Sequence, residues 1–247
     1  MKLYGLIGYP LTHSFSKQYF TDKFLKESIT GCAYVNFEVA NIQNLSSLLL
    51  QHPNIFGLNI TIPHKQSVLQ LLDKKDAVVE KINACNCIKI VGGELLGFNT
   101  DVVGFKNSLL KQIGSNYSNA LVLGNGGASK AVQYVLDEIG INYLLVSRKK
   151  TNETIGYNEV DKKLIEDYPI IINTTPLGMF PNIDASPELP YQYISSNNFL
   201  FDLIYNPVKT KFMEEGEKHG AQICNGYEML VGQAEESWRI WNDDTIG

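Results

Sequence analysis

The chain has no apolar run approaching the ~20 residues of a membrane-spanning helix. Its four cysteines, Cys32, Cys85, Cys87 and Cys224, have neither C-x-x-C pairing nor histidine partners at ligand spacing. That pattern excludes the common zinc arrangements. No metal is expected, and the thiols are expected to be reduced and structural, in a cytoplasmic setting. Basic residues are not in excess: 21 Lys and Arg stand against 26 Asp and Glu, a net charge of −5. No broad surface for nucleic acid or anionic membrane is expected from that balance. The opening MKLYGLIGYP holds one lysine and an apolar stretch that turns at once into Tyr-Pro. It reads as a first strand and not as a secretory signal. Internal repeats and low-complexity tracts are absent too. A length of 247 residues with 44% hydrophobic content suits one large domain or two modest ones.

What is present is most telling at residues 120–132, ALVLGNGGASKAV. An apolar strand leads into Gly124, Asn125, Gly126 and Gly127, and a helix-compatible stretch follows from Ala128. Glycines here let a ligand approach the main chain closely. The helix N-terminus offers free N–H groups and a positive dipole end to a pyrophosphate. The dinucleotide fingerprint is incomplete, because Ser129 stands at its third glycine position. A tight turn without a ligand is the competing reading. Nearly half of the chain precedes this loop, so another unit is built first.

Periodicity predicts strands at Lys2–Gly8, Tyr34–Val39 and Ile55–Ile62, with helices over Ser14–Glu27 and Leu45–Leu50. Pro63 is expected to open a helix running to Leu72. Gly92-Gly93 predicts a hairpin of Cys87–Val91 and Glu94–Phe98, with both cysteines of C-x-C in strand. A helix over Val102–Ile113 follows. The second half alternates strands at 120–123, Tyr143–Val146, Ile170–Ile172, Phe199–Leu203 and Gln222–Cys224 with helices at 128–139, Phe212–His219 and Tyr227–Trp241. That alternation implies an α/β fold with parallel sheets. The expected division is residues 1–101, with the last helix (227–247) packing back on it, and residues 102–226 as a Rossmann-type unit.

Four segments carry candidate chemistry. In NITIPHK (59–65), Lys65 follows a strand's carboxyl end, where open α/β sheets bind ligands; a solvated surface lysine is the alternative. In GFNTD (97–101), Asn99 or Thr100 can cap the next helix. Asp101 reads by itself as a dipole partner, and as half of a proton-handling pair if it shares a cleft with Lys65. In HSFS (13–16), Ser14 and Ser16 suit either a helix cap or a small polyol or carboxylate. His13 and His64 read as structural. In SRKK (147–150), an NAD enzyme would carry an acid for the ribose. Here only basic residues follow the strand; Arg148 suits a 2′-phosphate, fork to phosphate, and a solvated basic turn is the alternative.

With these residues assembled, the chain resembles shikimate dehydrogenases over nearly its whole length. The resemblance rests on IGYPLTHSFS, NITIPHK, INACN, GFNTD, LGNGGASKA, SRK, INTTPLGM, FDLIYNP and NGYEMLVGQA. It implies an N-terminal α/β substrate domain, a C-terminal NADP-binding Rossmann-type domain and a cleft between them. The implied reaction is reversible hydride transfer between NADPH and 3-dehydroshikimate, a step of chorismate and aromatic amino acid biosynthesis. Carried over by motif, Ser14, Ser16, Thr61, Asn86, Asp101, Tyr205 and Gln233 would hold shikimate, and Lys65 would be the acid/base residue paired with Asp101. Gly124, Asn125, Gly126, Gly127, Ala128, Ser147, Arg148, Lys149, Leu203 and Gly226 would hold the cofactor. The small-molecule substrate is the implied partner, for a monomer or homodimer.

Lys17 and Phe20-Thr21 depart from the family pattern of proline and His-Asn. TNETIGYNEV replaces a helix that the family generally has, leaving the adenosine side more open. A relaxed quinate/shikimate dehydrogenase and a non-catalytic nucleotide sensor are the alternatives; Lys65 and Asp101 speak against the sensor. A related folate dehydrogenase does not suit HSFS and NTD.

Overall fold

The computed structural model describes residues 1–11, 15–114 and 117–246. The chain divides into two units, Met1–Thr100 with Ala234–Gly247, and Asp101–Gln233.

The first unit runs β1 (Lys2–Gly8), α1 (Phe15–Lys26), β2 (Cys32–Glu38), α2 (Leu45–Gln51), β3 (Ile55–Ile60), β4 (Lys74–Lys75), α3 (Ala77–Ile82), β5 (Cys87–Val91) and β6 (Glu94–Phe98). Its sheet has the order β2-β1-β3-β5-β6-β4. β1 is apolar without alternation because both of its faces are covered. Leu3, Ile7, Leu45, Leu58, Ile60, Val68 and Ile88 pack on one side. The other side is aromatic: Tyr4, Phe20, Phe24 and Tyr34 meet Trp241 from the end of the chain. Tyr4 stacks on Trp241 at 4.9 Å between centroids, and the indole N–H of Trp241 donates to the Ile88 carbonyl at 3.0 Å. A Cβ at Gly57 would lie 2.3 Å from that indole nitrogen, so the strand must carry glycine there.

The second unit runs α4 (Asp101–Gln112), β7 (Asn119–Leu123), α5 (Gly127–Ile139), β8 (Asn142–Ser147), β9 (Thr154–Gly156), α6 (Lys162–Asp167), β10 (Ile170–Asn173), β11 (Phe199–Asp202), α7 (Lys211–Lys218) and β12 (Gln222–Cys224). The closing helix α8 (Tyr227–Asn242) begins in the second unit and ends in the first. The second sheet is parallel throughout, ordered β12-β11-β10-β7-β8-β9. This is the doubly wound order of dinucleotide-binding folds, with its switch point between β7 and β10.

Several expectations need correction. The first sheet is mixed, because β5 runs antiparallel to both β3 and β6; the expected Gly92-Gly93 hairpin accounts for the β5–β6 pair. Pro63 opens no α-helix. Ile62–Pro63 is cis, the strand stops at Ile60, and a 3₁₀ helix forms only over Ser67–Leu71. The backbone groups of this segment are drawn into tertiary bonds instead: the Lys65 carbonyl accepts from the Cys85 N–H at 2.8 Å. Cys85 precedes β5 and does not lie in it. The stretch after Lys150 forms β9 beside β8, with a 3₁₀ turn at Tyr157–Glu159. β4, α3 and α6 were not anticipated.

Candidate functional site

In the first unit, polar side chains collect at one end of the sheet. β1 and β3 are parallel and end there. Because β5 is antiparallel to β3, it begins there, and β6 ends beside it. The Thr61 N–H donates to the Ile7 carbonyl at 2.9 Å, and the Ile60 N–H donates to the Asn86 carbonyl at 2.8 Å. Gly8 makes room for this approach, since a Cβ on it would lie 2.4 Å from the Thr61 methyl. The sheet therefore brings together Thr61, Asn86, Asn99 and Thr100, and the turn that follows β3 adds Lys65.

Lys65 is half-buried. Its neighbour His64 is buried and its Nε2 meets the Val39 carbonyl at 2.5 Å, a structural use of that ring. Lys65 also acts on the Cys85 thiol, which burial pushes up to about 12 against the favourable charge of Lys65. Burial raises the Cys87 thiol as well. Burial thus favours the protonated thiol at both positions.

Ser16, the second residue of α1, is buried and acts on the Tyr34 phenol. Burial pushes that phenol well above its ordinary value, and Ser16 acts the other way. The Tyr34 hydroxyl donates to Asn59 Oδ1 at 2.8 Å, and Asn59 Nδ2 donates to Ser237 Oγ at 2.8 Å. Thr100 Oγ1 lies 3.2 Å from Ser237 Oγ. Asn86 closes the chain, taking the Thr100 N–H at Oδ1 (2.7 Å) and giving Nδ2 to Thr100 Oγ1 (3.1 Å). Sequence reasoning missed Tyr34, Asn59, Thr100 as a partner of Asn86, and Ser237. Asn59 alone had a signal, as an amide in an otherwise apolar strand. Ser14 and His13 lie outside the described residues.

In the second unit the candidate cofactor residues lie at the carboxyl ends of parallel strands. Gly124 follows β7 with φ +106°, a backbone conformation that favours glycine. A Cβ there would lie 2.7 Å from Thr174 Oγ1, in the loop after β10. At Gly126 and Gly127 an added Cβ would meet nothing within 4 Å. α5 starts at this open turn with no side-chain cap. Ser129 at the incomplete glycine position donates to the Gly124 carbonyl at 2.9 Å, tying helix to turn. Asn125 and Gly126 are exposed, and Ala128 is half-buried in the first turn of α5.

At the end of β8, the Ser147 hydroxyl donates to the Lys149 carbonyl and sets the turn. Arg148 and Lys149 are exposed. Lys150 is paired with Glu159 at 2.6 Å. Arg148 acts electrostatically on Tyr157, whose phenol burial raises to about 12. After β11, Leu203 and Gly226 are in backbone contact: a Cβ at Gly226 would fall 2.0 Å from the Leu203 carbonyl oxygen. Tyr205 is half-buried, with its phenol raised by burial. Asp101 is a buried residue opening α4, and Gln233 lies within α8. The loop residues Asn173, Thr174 and Thr175 had no role assigned from sequence. Asn173 Oδ1 accepts from the Thr175 N–H and hydroxyl, holding this loop against Gly124.

An open glycine turn, an uncapped helix start and a basic strand end suit a dinucleotide with an added phosphate. Among the described residues no group of three or more His, Cys, Asp or Glu is placed to hold a metal. No described helix is long and apolar enough to cross a membrane.

The profile of the shikimate dehydrogenase substrate binding domain matches residues 6–88. An NADP(+) shikimate dehydrogenase of Clostridium beijerinckii is 41% identical, over 98% of this chain and 93% of its own. A shikimate dehydrogenase solved with NADP+ superposes with a TM-score of 0.88 at 34% identity, covering 98% of this chain and 90% of that one. The Thermus thermophilus enzyme solved with NADP(H) and shikimate gives 0.87 at 27% identity, covering 98% and 94%. By fold, glycine turn and relatedness along its length, the chain belongs to the shikimate dehydrogenase family.

Proposed function

We propose that this protein reversibly reduces 3-dehydroshikimate to shikimate with NADPH. The observation that carries this reading is the convergence of Thr61, Lys65 and Asn86 on one end of the first sheet. Bound NADPH supplies a hydride. The open space at Gly126 and Gly127 fits a pyrophosphate against the N–H groups of α5, with Ala128 and Asn125 beside it. Arg148, with Ser147 and Lys149, fits the 2′-phosphate. Leu203 and Gly226 form a backbone wall that fits the cofactor.

Ser14, Ser16, Thr61, Asn86, Tyr205 and Gln233 hold the substrate's carboxylate and hydroxyls in this reading. Lys65 gives a proton to the carbonyl oxygen during reduction and takes it back during oxidation. Its positive form stabilises the developing alkoxide. Asp101 orients Lys65 and bonds a ring hydroxyl.

The test is a spectrophotometric panel of shikimate or quinate with NADP or NAD, following the reduced nicotinamide. Turnover of shikimate with NADP is expected to dominate. Preference for quinate would assign the relaxed activity, and cofactor binding without turnover would overturn the enzyme reading.

A further inference from the structure

The buried hydroxyl of Ser237 belongs to no segment that carries the proposed reaction, yet it stands at the centre of the polar chain beneath Asn86. It is fully buried on α8. Its Oγ accepts from Asn59 Nδ2 at 2.8 Å and lies 3.2 Å from Thr100 Oγ1. It also acts on the Cys87 thiol, opposing the rise that burial causes. Asn59 is held from its other side by the Tyr34 hydroxyl at 2.8 Å.

We infer that Ser237 is a positioning residue that fixes the amide of Asn86 for substrate, acting through Thr100. The inference rests on the proposed role of Asn86. The donor accounting gives the direction. Asn59 Oδ1 is occupied by Tyr34, so its Nδ2 faces Ser237 and Ser237 Oγ accepts. Thr100 Oγ1, 3.2 Å from Ser237 Oγ, accepts from Asn86 Nδ2 at 3.1 Å and donates to Asn86 Oδ1 at 3.3 Å. The Thr100 N–H, donating to Asn86 Oδ1 at 2.7 Å, settles which end of the amide is oxygen. Without the Ser237 hydroxyl, Thr100 Oγ1 loses the partner that holds its rotamer. Its bonds to Asn86 Nδ2 and Oδ1 then lose their alignment, which loosens the amide. The last helix thereby sets the orientation of the Asn86 side chain through Thr100.

The test is Ser237→Ala, with steady-state kinetics on both substrates. The expected result is a shikimate KM raised about fivefold, the scale of one neutral hydrogen bond, with the NADP KM unchanged. Thr100→Val should abolish the effect of the second change, so that the double variant matches Thr100→Val alone. Ser237→Cys, nearly isosteric with a weak hydrogen bond, should fall between parent and alanine and serves if Ser237→Ala does not fold. An unchanged shikimate KM would overturn the inference. So would equal rises in both KM values, or additive effects in the double variant, which mark a purely structural residue. A parent protein that turns over no shikimate would instead remove the functional reading on which the inference rests.

Discussion

Lys65 owes its position to bonds made by its neighbours. Its carbonyl is held by the Cys85 N–H and the adjacent His64 ring is held by Val39, so replacing the ammonium leaves the turn in place. Lys65→Ala is therefore expected to keep its fold and its NADP KM and to lose about 10²–10⁴-fold in kcat. Steady-state kinetics across pH check this, and near-parental kcat would remove Lys65 from the mechanism. Arg148 is exposed, so its value is in what it binds. Arg148→Ala should lower the NADP over NAD preference in kcat/KM by about tenfold, the scale of one charge-assisted contact; an NAD-preferring parent would sink that assignment. Asp202 is different. It is buried and accepts from Asn173 Nδ2, the Ile204 N–H and the Thr210 hydroxyl. Burial nevertheless raises its carboxyl to about 6, with those bonds opposing. The folded state thus holds the proton where the unfolded chain, near 3.8, has released it. Stability from this group is greatest at low pH and declines as pH rises from about 4 to about 6, then is flat. Denaturation of the parent and Asp202→Asn over that range should show the difference between them changing with that sign. At this scale the motifs named Lys65, Asn86 and Ser16. Tyr34, Asn59 and Ser237 stayed hidden because one polar residue per element leaves no local pattern, and only folding brings them together.

Local punctuation was read best where its physics is local. Gly92-Gly93 defines the hairpin to the residue, with Val91 opposite Glu94. The parallel pairing of the second sheet follows equally from alternating strands and helices. Pro63 misled because its fixed φ suits several turns, and tertiary bonds to Cys85 and Val39 decide among them. Short elements were missed for want of a period: α3 spans Ala77–Ile82 and is marked chiefly by its Asp76 cap, whose carboxylate accepts the Val79 N–H at 2.7 Å. Replacing a helix by β9 was not visible in the polar run TNETIGYNEV, whose Thr154 side chain is tied to Ser147 and Thr151. The same scale yields a sharp expectation at Gly226. Its missing Cβ would stand 2.0 Å from the Leu203 carbonyl oxygen, and backbone on both sides has little room to yield. Gly226→Ala should destabilise by about 1–3 kcal/mol and raise the NADP KM, measured by denaturation and kinetics. A variant of parental stability and affinity would place no cofactor wall there.

Each unit has its own sheet and its own buried core, so ligand protection should be separable in the whole protein. A ligand at one hundred times its Kd stabilises the bound state by about 2.7 kcal/mol. Hydrogen exchange reports that gain only for openings that break the site. NADP alone should therefore slow exchange at the turn of Gly124–Ala128 and at Ser147–Lys149, all in the second unit. Shikimate alone should slow it at Thr61, Lys65 and Asn86, and at the buried Thr100 N–H that Asn86 accepts. Asn86 links to Ser237 through Thr100, so shikimate protection should extend to amides around Ser237 on α8 and weaken there in Ser237→Ala. Exchange measured by mass spectrometry on the intact chain, with each ligand separately, distinguishes these patterns. Protection by NADP confined to the first unit, or by shikimate to the β7–β8 turns, would reverse the assignment of the two sites.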